Sequence, residues 1–398
     1  MIDPGDIRFL ESPAGLRAIE TAARLPPSTP MHRAIQLLRE QIGDPRVSSA
    51  LELLELRRSA ATKFRQADRM FFLREALEQS SGEIVSGYRA ARYAGRGPVA
   101  DLACGIGGDT LSLAAVGEVT AVDQDAARLA CLRHNLTAYN RSCRIIEADV
   151  TAIPPPAPFM FIDPSRRNRG RRIRSAEAYS PPFSFVIELA SRVEGLGVKL
   201  SPAMDIPYCP VTAEIEAISL DGVCRELLLW TGDLRQCARR ASVLRRTAPD
   251  SFEYQSFSLY ETGDNDPTLP ALGAAPKPGD ILFEPDPAII RARLVGRLGE
   301  TLQASVLDPQ IAYLISSQPA NTPFAACYRI LDSYPFDEKR IKRWIKAGEI
   351  GDLTIKKRGF PLTPEQMRSR LRPRGPNAAT IILTRQRDRH FVMVVDRK

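Results

Sequence analysis

The run Val99-Ala-Asp-Leu-Ala-Cys-Gly-Ile-Gly-Gly-Asp-Thr110 constrains this chain more than any other stretch. It opens as a short apolar segment, passes into glycines and leads into a helix-like segment at residues 110–116. A strand that ends in glycine and opens a helix is a ready cradle for a cofactor. Glycines let the backbone approach a ligand closely, and a helix N-terminus offers unpaired N–H groups. Two cofactor classes use this layout, nicotinamide dinucleotides and S-adenosylmethionine.

The surrounding pattern alternates strands and helices. Strands are predicted at residues 99–103, 118–123, 143–148, 159–163 and 197–200, with helices at 126–140 and 182–192. This predicts a parallel, doubly wound α/β sheet. Later strands at 214–219, 225–231 and 241–245 lack full-length helices between them, so that edge is predicted to be antiparallel. The glycines do not follow the dinucleotide fingerprint Gly-x-Gly-x-x-Gly, since Thr110 stands where the third glycine belongs. Asp101 sits in the first strand, Asp123 ends the second, and Asp149 follows the third. A carboxylate at the end of the second strand suits a ribose diol. Three acids on one sheet edge, in register with Gly105 and Gly107, favour S-adenosylmethionine over the dinucleotide.

The flanks differ from this core. Residues 1–85 read as a helical domain, with apolar faces at residues 32–40, 49–61 and 69–79, and a further helix opening at residue 81. The Phe71-Phe72 pair within them reads as core packing in preference to a lid over the cofactor. The sheet domain spans 86–263. A Pro/Gly/Asp-rich stretch at 264–280 marks a boundary, and a small basic α+β domain spans 280–398. In that domain a helix is expected at 287–298, strands at 326–331 and 352–357, and a helix at 337–347 stopped by Gly348. Thr363-Pro364-Glu-Gln366 carries a cap, a first-turn proline and a capping-box glutamine for a helix to about Leu371. A hairpin is expected across residues 385–389.

Charge is unevenly placed. Of a net +8, residues 339–398 carry 17 Lys and Arg against 5 Asp and Glu, a surplus of 12, which leaves −4 on the rest. Such an end is either a solvated surface or a polyanion grip that releases counterions on binding. No run of about eighteen apolar residues exists, so no membrane partner is predicted. The start Met1-Ile-Asp-Pro-Gly lacks the character of a signal peptide. Seven cysteines stand singly with no Cys-x-x-Cys, which reads as reduced thiols of a cytoplasmic protein. The three histidines, His32, His134 and His390, lie far apart, so neither a metal site nor a Ser-His-Asp arrangement is predicted.

With these motifs in hand, the chain resembles the class I S-adenosylmethionine-dependent methyltransferases. In detail it resembles bacterial members with a C-terminal THUMP-like domain, whose core is similar to trimethylguanosine synthases. The resemblance rests on Asp68-Arg-Met-Phe-Phe-Leu-Arg-Glu-Ala-Leu-Glu, Cys104-Gly-Ile-Gly-Gly-Asp and Asp163-Pro-Ser-Arg-Arg. It continues in Ala178-Tyr-Ser-Pro-Pro, Leu307-Asp-Pro-Gln-Ile-Ala-Tyr and Thr354-Ile-Lys-Lys-Arg-Gly. It implies a Rossmann-like methyltransferase sheet between the helical and α+β domains. It also implies an S-adenosylmethionine site built from Asp101, Ala103, Gly105, Gly107, Asp123, Gln124, Asp149 and Val150.

Asp163-Pro164-Ser165-Arg166 stands where amine methyltransferases of this class place Asp/Asn-Pro-Pro-aromatic, so the resemblance implies catalytic roles for Asp163, Pro164 and Ser165. There the first side chain aligns an amine with the methyl group, and alignment is most of the catalysis. Ser165 and Arg166 depart from that pattern. Tyr179 either supplies the missing stacking face or packs in a rigid turn. Six arginines among residues 166–174 (Arg166, Arg167, Arg169, Arg171, Arg172 and Arg174) form either a solvated loop or a phosphate track. Arg166, Arg167, Tyr179, Lys356, Lys357 and Arg358 are the expected substrate contacts. The THUMP-like resemblance implies RNA as partner, where charge alone does not separate RNA from DNA. The expected function is RNA methylation at a base. Two other readings stand beside it, a non-catalytic RNA-binding protein with a retained fold and a small-molecule or protein methyltransferase.

Overall fold

The computed structural model describes residues 2–153, 156–164, 167–168, 171–172, 177, 179–202, 212–263 and 266–397. Six helices come first: α1 (Pro4–Glu11), α2 (Pro13–Arg24), α3 (Met31–Ile42), α4 (Val47–Ala60), α5 (Arg74–Gln79) and α6 (Glu83–Ala90). α1 and α2 lie in the expected helical domain, ahead of the first apolar face delimited in it at residues 32–40. Both begin with a side-chain cap, Asp3 or Ser12, followed by a first-turn proline.

The helix expected over 69–79 is shortened to α5. Residues 70–73 run without helix because side chains take their backbone groups. Asn135 Oδ1 accepts the Phe71 N–H at 2.7 Å, its Nδ2 donates to the Phe71 carbonyl at 3.1 Å, and Arg57 Nε donates to the Met70 carbonyl at 2.9 Å. Phe71 and Phe72 are buried, as expected of core residues.

The α/β part follows. It contains β1 (Val99–Leu102), α7 (Thr110–Leu113), β2 (Val119–Asp123), α8 (Ala126–Ala138), β3 (Arg144–Glu147) and β4 (Phe159–Ile162). A short ladder, β5 (Arg167–Asn168) and β6 (Arg171–Arg172), precedes α9 (Phe183–Ala190) and β7 (Gly195–Leu200). β8 (Ala213–Leu220), β9 (Val223–Thr231), β10 (Arg239–Arg246) and β11 (Tyr254–Glu261) complete a nine-stranded sheet in the order β11-β10-β8-β9-β7-β4-β1-β2-β3. β11 is a strand the sequence reading missed. The central strands β3, β2, β1, β4 and β7 are parallel, and β9 joins β7 antiparallel as expected.

β1, β4 and β7 are buried along their whole length, as strands covered on both faces must be. The strand order reverses between β1 and β4. Chain leaving the two strands there diverges, which opens a crevice at their carboxyl ends. Phe64, Phe71 and Phe72 pack in one cluster with Leu129, Leu132 and Ile106. The early helices therefore share a core with the elements around β1. A buried ion pair adds a second tie. Arg92 donates to both Glu214 oxygens at 2.9 and 3.1 Å, and its guanidinium lies 4.8 Å from the centre of the Trp230 ring.

The remaining elements are β12 (Ile281–Pro285), α10 (Pro287–Arg291), α11 (Val295–Thr301), β13 (Ser305–Asp308), β14 (Ile311–Ser316) and β15 (Ala325–Pro335). They are followed by α12 (Glu338–Ala347), β16 (Ile350–Lys357), α13 (Pro364–Leu371), β17 (Asn377–Gln386) and β18 (Arg389–Arg397). A seven-stranded sheet runs β13-β14-β12-β15-β18-β17-β16, antiparallel except for β16 beside β17. Ile381 faces the cluster under α12 and α13, and Ile382 faces the opposite one, the alternation a two-sided strand requires.

The capping box of α13 forms as read, with Thr363 and Gln366. The single helix expected at 287–298 does not form. Arg293 turns left-handed at φ 56° after α10, and Asp266 accepts the Gly296 and Arg297 N–H groups at 2.8 and 2.9 Å, starting α11 afresh. The chain divides into two compact units. One comprises Met1–Ile215, Arg225–Gln236 and Leu244–Gln255, and the other Glu216–Cys224, Cys237–Val243 and Ser256–Lys398. Among the described residues no helix is long and apolar enough to cross a membrane.

Candidate active site

The crevice beyond β1 and β4 holds a cleft of about 190 Å³. One wall is the turn after β1, with Ala103, Cys104, Gly105, Ile106, Gly108 and Asp109. Asp163 and Pro164, just beyond β4, form a second. A third is Ala76, Glu78, Gln79 and Ser80 from α5 and its end, with Arg128 of α8 beside it.

The turn after β1 is built for close approach. Ala103 and Gly105 both take left-handed backbone, φ 59° and 58°. Only glycine holds that conformation without strain, so Ala103 carries a cost that the fold offsets elsewhere. A side chain at Gly105 would enter open space, with no atom within 4 Å. Gly108 is needed for a different reason. A Cβ there would lie 3.1 Å from the Ser81 carbonyl oxygen and 3.2 Å from Ser80 Cβ, so its absence lets residues 80–81 close on the turn. Lys63 holds the same segment by donating to the carbonyls of Leu77 and Ser80 at 2.7 and 3.2 Å.

The strand-end acids differ in surroundings. Asp123 is buried at the end of β2, with Oδ2 accepting the Gly105 N–H at 2.8 Å and Oδ1 the Asp125 N–H at 2.9 Å. It thereby fixes the turn that lines the cleft, and each oxygen retains a lone pair. Asp101 is 1% exposed and accepts a hydrogen bond from Thr110 Oγ1 at 2.5 Å. Burial pushes its pKa up to about 7, against the opposing effects of the Thr110 hydroxyl and the Arg89 charge. Asp149 is exposed and accepts the Thr151 N–H and hydroxyl, which hold its carboxyl below the usual range.

Of the residues expected to hold cofactor, Ala103 and Gly105 line the cleft. Asp101 stands behind them as a buried support, Asp123 holds the Gly105 N–H from the end of β2, and Gly107 packs towards Leu132 of α8. Gln124 is exposed and Val150 half-buried on the same edge. Cys104 also lines the cleft, but burial raises its thiol well above the ordinary value, which disfavours a thiolate nucleophile.

Asp163 does not stand alone. Lys199 Nζ, on β7, donates to its Oδ2 at 2.6 Å and to Ser81 Oγ at 2.9 Å. Ser81 donates on to Asp109 at 3.2 Å, and Arg89 on α6 pairs with both Asp109 and Glu226. Arg89 also covers the Phe161 ring, 4.3 Å from its centroid. Nothing in the sequence motifs assigns a site role to Ser81, Arg89, Lys199 or Glu226. One signal was available, a lone lysine inside the apolar strand Gly195-Leu-Gly-Val-Lys-Leu200.

Of the other expected residues, Pro164 is buried against the cleft and Tyr179 is 5% exposed, so its ring packs inside the fold. Ser165, Arg166, Arg169 and Arg174 lie outside the described residues, as do the side chains of Arg167, Arg171 and Arg172. In the second unit, Lys356 donates to Glu284 Oε2 at 2.6 Å and Arg358 lies 3.8 Å from Oε1. Lys357 Nζ reaches the Phe360 carbonyl at 3.1 Å.

Residues 99–162, which span β1 to β4, match the methyltransferase domain family, and residues 325–397 match the THUMP domain-like family. An S-adenosylmethionine-dependent methyltransferase of Mycobacterium tuberculosis, known from two strains, is 34% identical over 364 residues. These cover 87% of this chain and 95% of the relative. The chain belongs to the S-adenosylmethionine-dependent methyltransferases. A solved structure from Porphyromonas gingivalis W83, also named as a methyltransferase, superposes with a TM-score of 0.73 at 18% identity, over 100% of this chain and 99% of the other. That likeness extends the shared fold to the full length.

The cleft of the methyltransferase fits its cofactor. Open space over Gly105, a backbone turned by Ala103 and a carboxylate at Asp123 with lone pairs to spare suit the backbone and hydroxyl groups of a nucleoside amino acid.

Proposed function

We propose that the methyltransferase acts on RNA, at a base. The observation that carries this reading is the THUMP domain-like match over residues 325–397, in the part of the chain where basic residues concentrate. Lys342, Arg343, Lys346, Arg372 and Arg374 are exposed there, and exposed cations suit a phosphate backbone. The arginine run at residues 166–174, directly after Asp163 in sequence, supports a polyanionic substrate as well.

Bound S-adenosylmethionine supplies an electrophilic methyl group on a sulfonium. Ala103, Gly105 and Asp123 hold it in this reading, with Asp101 behind and Gln124, Asp149 and Val150 further along the edge. Asp163 orients the acceptor. Its carboxylate lies in the cleft wall with 23% of the side chain open, and it can accept an N–H from an amino group. Pro164 holds the turn that aims it, and Ser165 occupies the next position. Alignment of this kind presents the nitrogen lone pair to the methyl group. As the N–C bond forms the S–C bond breaks, the sulfur leaves as a neutral thioether, and the nitrogen gives up one proton to solvent.

The test is mass spectrometry of modified nucleosides in RNA from cells with and without the gene. One methylated nucleoside should be missing from the deletion strain. The wild-type gene should restore it, and Asp163→Ala should not, although the purified variant still binds cofactor. An unchanged nucleoside inventory would overturn the RNA reading and favour a small-molecule or protein substrate.

A further inference from the structure

We infer that Lys199 is a positioning residue for methyl transfer, fixing the Asp163 carboxylate as an acceptor in the cleft wall; this rests on Asp163 as the group that orients the acceptor. β4 and β7 are parallel, with Ile162 opposite Val198, so the next residues, Asp163 and Lys199, emerge side by side. The Lys199 side chain is 6% exposed, and Asp163 Oδ2 lies 2.6 Å from Nζ.

An ammonium can only donate. The oxygen facing it must therefore accept, and the bond fixes the plane of the carboxylate and the direction of its second oxygen. A second bond, Nζ to Ser81 Oγ at 2.9 Å, keeps the ammonium from swinging with the carboxylate. Arg89 is matched by Asp109 and Glu226, which leaves Lys199 to Asp163.

Stability gives little reason for this pair. A buried ion pair replaced by apolar residues of similar size commonly leaves a fold as stable or more so. β7 is otherwise Gly, Leu and Val, so a neutral side chain would suit its packing. The lysine reaches the cleft through Asp163, the lining residue it holds.

The experiment counts tritium transferred from labelled S-adenosylmethionine into heat-treated extract of cells lacking the gene, with and without ribonuclease. Lys199→Met should lower the rate at saturating extract about 100-fold, while cofactor Kd and the extract concentration at half-maximal rate stay within about threefold. Lys199→Arg keeps the charge but moves the donors, and should lose only about tenfold. In an Asp163→Asn background, which keeps an acceptor oxygen, either change should cost less than about threefold further.

Wild-type rates in both Lys199 variants would overturn the inference. So would the full loss persisting in the Asp163→Asn background, or a loss confined to cofactor Kd. Should Lys199→Met fail to fold, the Lys199→Arg cycle carries the same decision. Ribonuclease addresses the substrate separately. Transfer that survives it removes the RNA reading, while the Lys199 cycle on untreated extract still reports on the positioning role.

Discussion

Asp101 is a carboxyl inside a strand, and its environment sets its titration. Burial raises it to about 7, whereas in the unfolded chain it titrates near the ordinary carboxylate value of 3.8. Between about pH 4 and pH 7 the folded protein therefore holds a proton that the unfolded chain has released. Stability from this group falls as pH rises through that window and is level above it. Asp101→Asn is neutral throughout and can still accept from Thr110. It should flatten this part of the pH dependence and raise stability at pH 8 by roughly 2–4 kcal/mol. Chemical denaturation of both proteins at pH 5 and pH 8 checks this, and equal slopes in the two would exclude it. Asp123, one strand along, shows how differently the same residue type is used. Its two oxygens bind backbone N–H groups and shape the cleft. The sequence marked both acids as belonging to the site. Which one is a buried support and which shapes the turn depended on neighbours distant in sequence.

At the scale of elements, the wall formed by α5 is the least expected part of the site. Its position follows from three long-range contacts: Asn135 on Phe71, Lys63 on the end of α5, and Gly108 under residues 80–81. Gly108→Val would push β-branched bulk into the Ser80-Ser81 backbone. Overpacking of this kind should lower stability by about 1–3 kcal/mol. It should also weaken S-adenosylmethionine binding, because Ala76, Gln79 and Ser80 would be displaced from the cleft. Thermal denaturation and calorimetric titration measure the two effects, and unchanged affinity would show that α5 does not contribute to the site. Elements with local signals were legible. α13 carries its own cap, proline and capping-box glutamine, and β1, β4 and β7 are continuous apolar runs. α1 and α2 carry signals of the same kind, a side-chain cap and a first-turn proline each. The break between α10 and α11 had no local signal strong enough, because Asp266, which restarts the helix, lies 30 residues from Gly296.

At the scale of the whole molecule, charge and fold separate. The surplus of 12 positive charges over residues 339–398 is a property of composition, and its expected consequence is salt dependence. If the methyltransferase acts on RNA as proposed, that binding should weaken steeply with salt. Replacing Arg343, Lys346, Arg372 and Arg374 with Gln should reduce the log–log slope by about 2–3, at roughly 0.7 for each phosphate that is no longer neutralised. Cofactor affinity should stay unchanged. Fluorescence anisotropy of labelled RNA across a salt series measures the slope, and an unaltered slope would exclude these four residues from the proposed RNA contact. The sequence by itself determined the sheet, the cofactor class and the basic end. Each of these rests on short-range regularities: strand–helix alternation, glycines and acids at fixed spacing, and composition. The tertiary structure alone decided that α5 walls the cleft and that Lys199 faces Asp163. It also decided that Arg89 is shared between Asp109 and Glu226. Those pairings join residues from 20 to 137 positions apart in the chain, and only strand register and close packing bring such partners within hydrogen-bond reach.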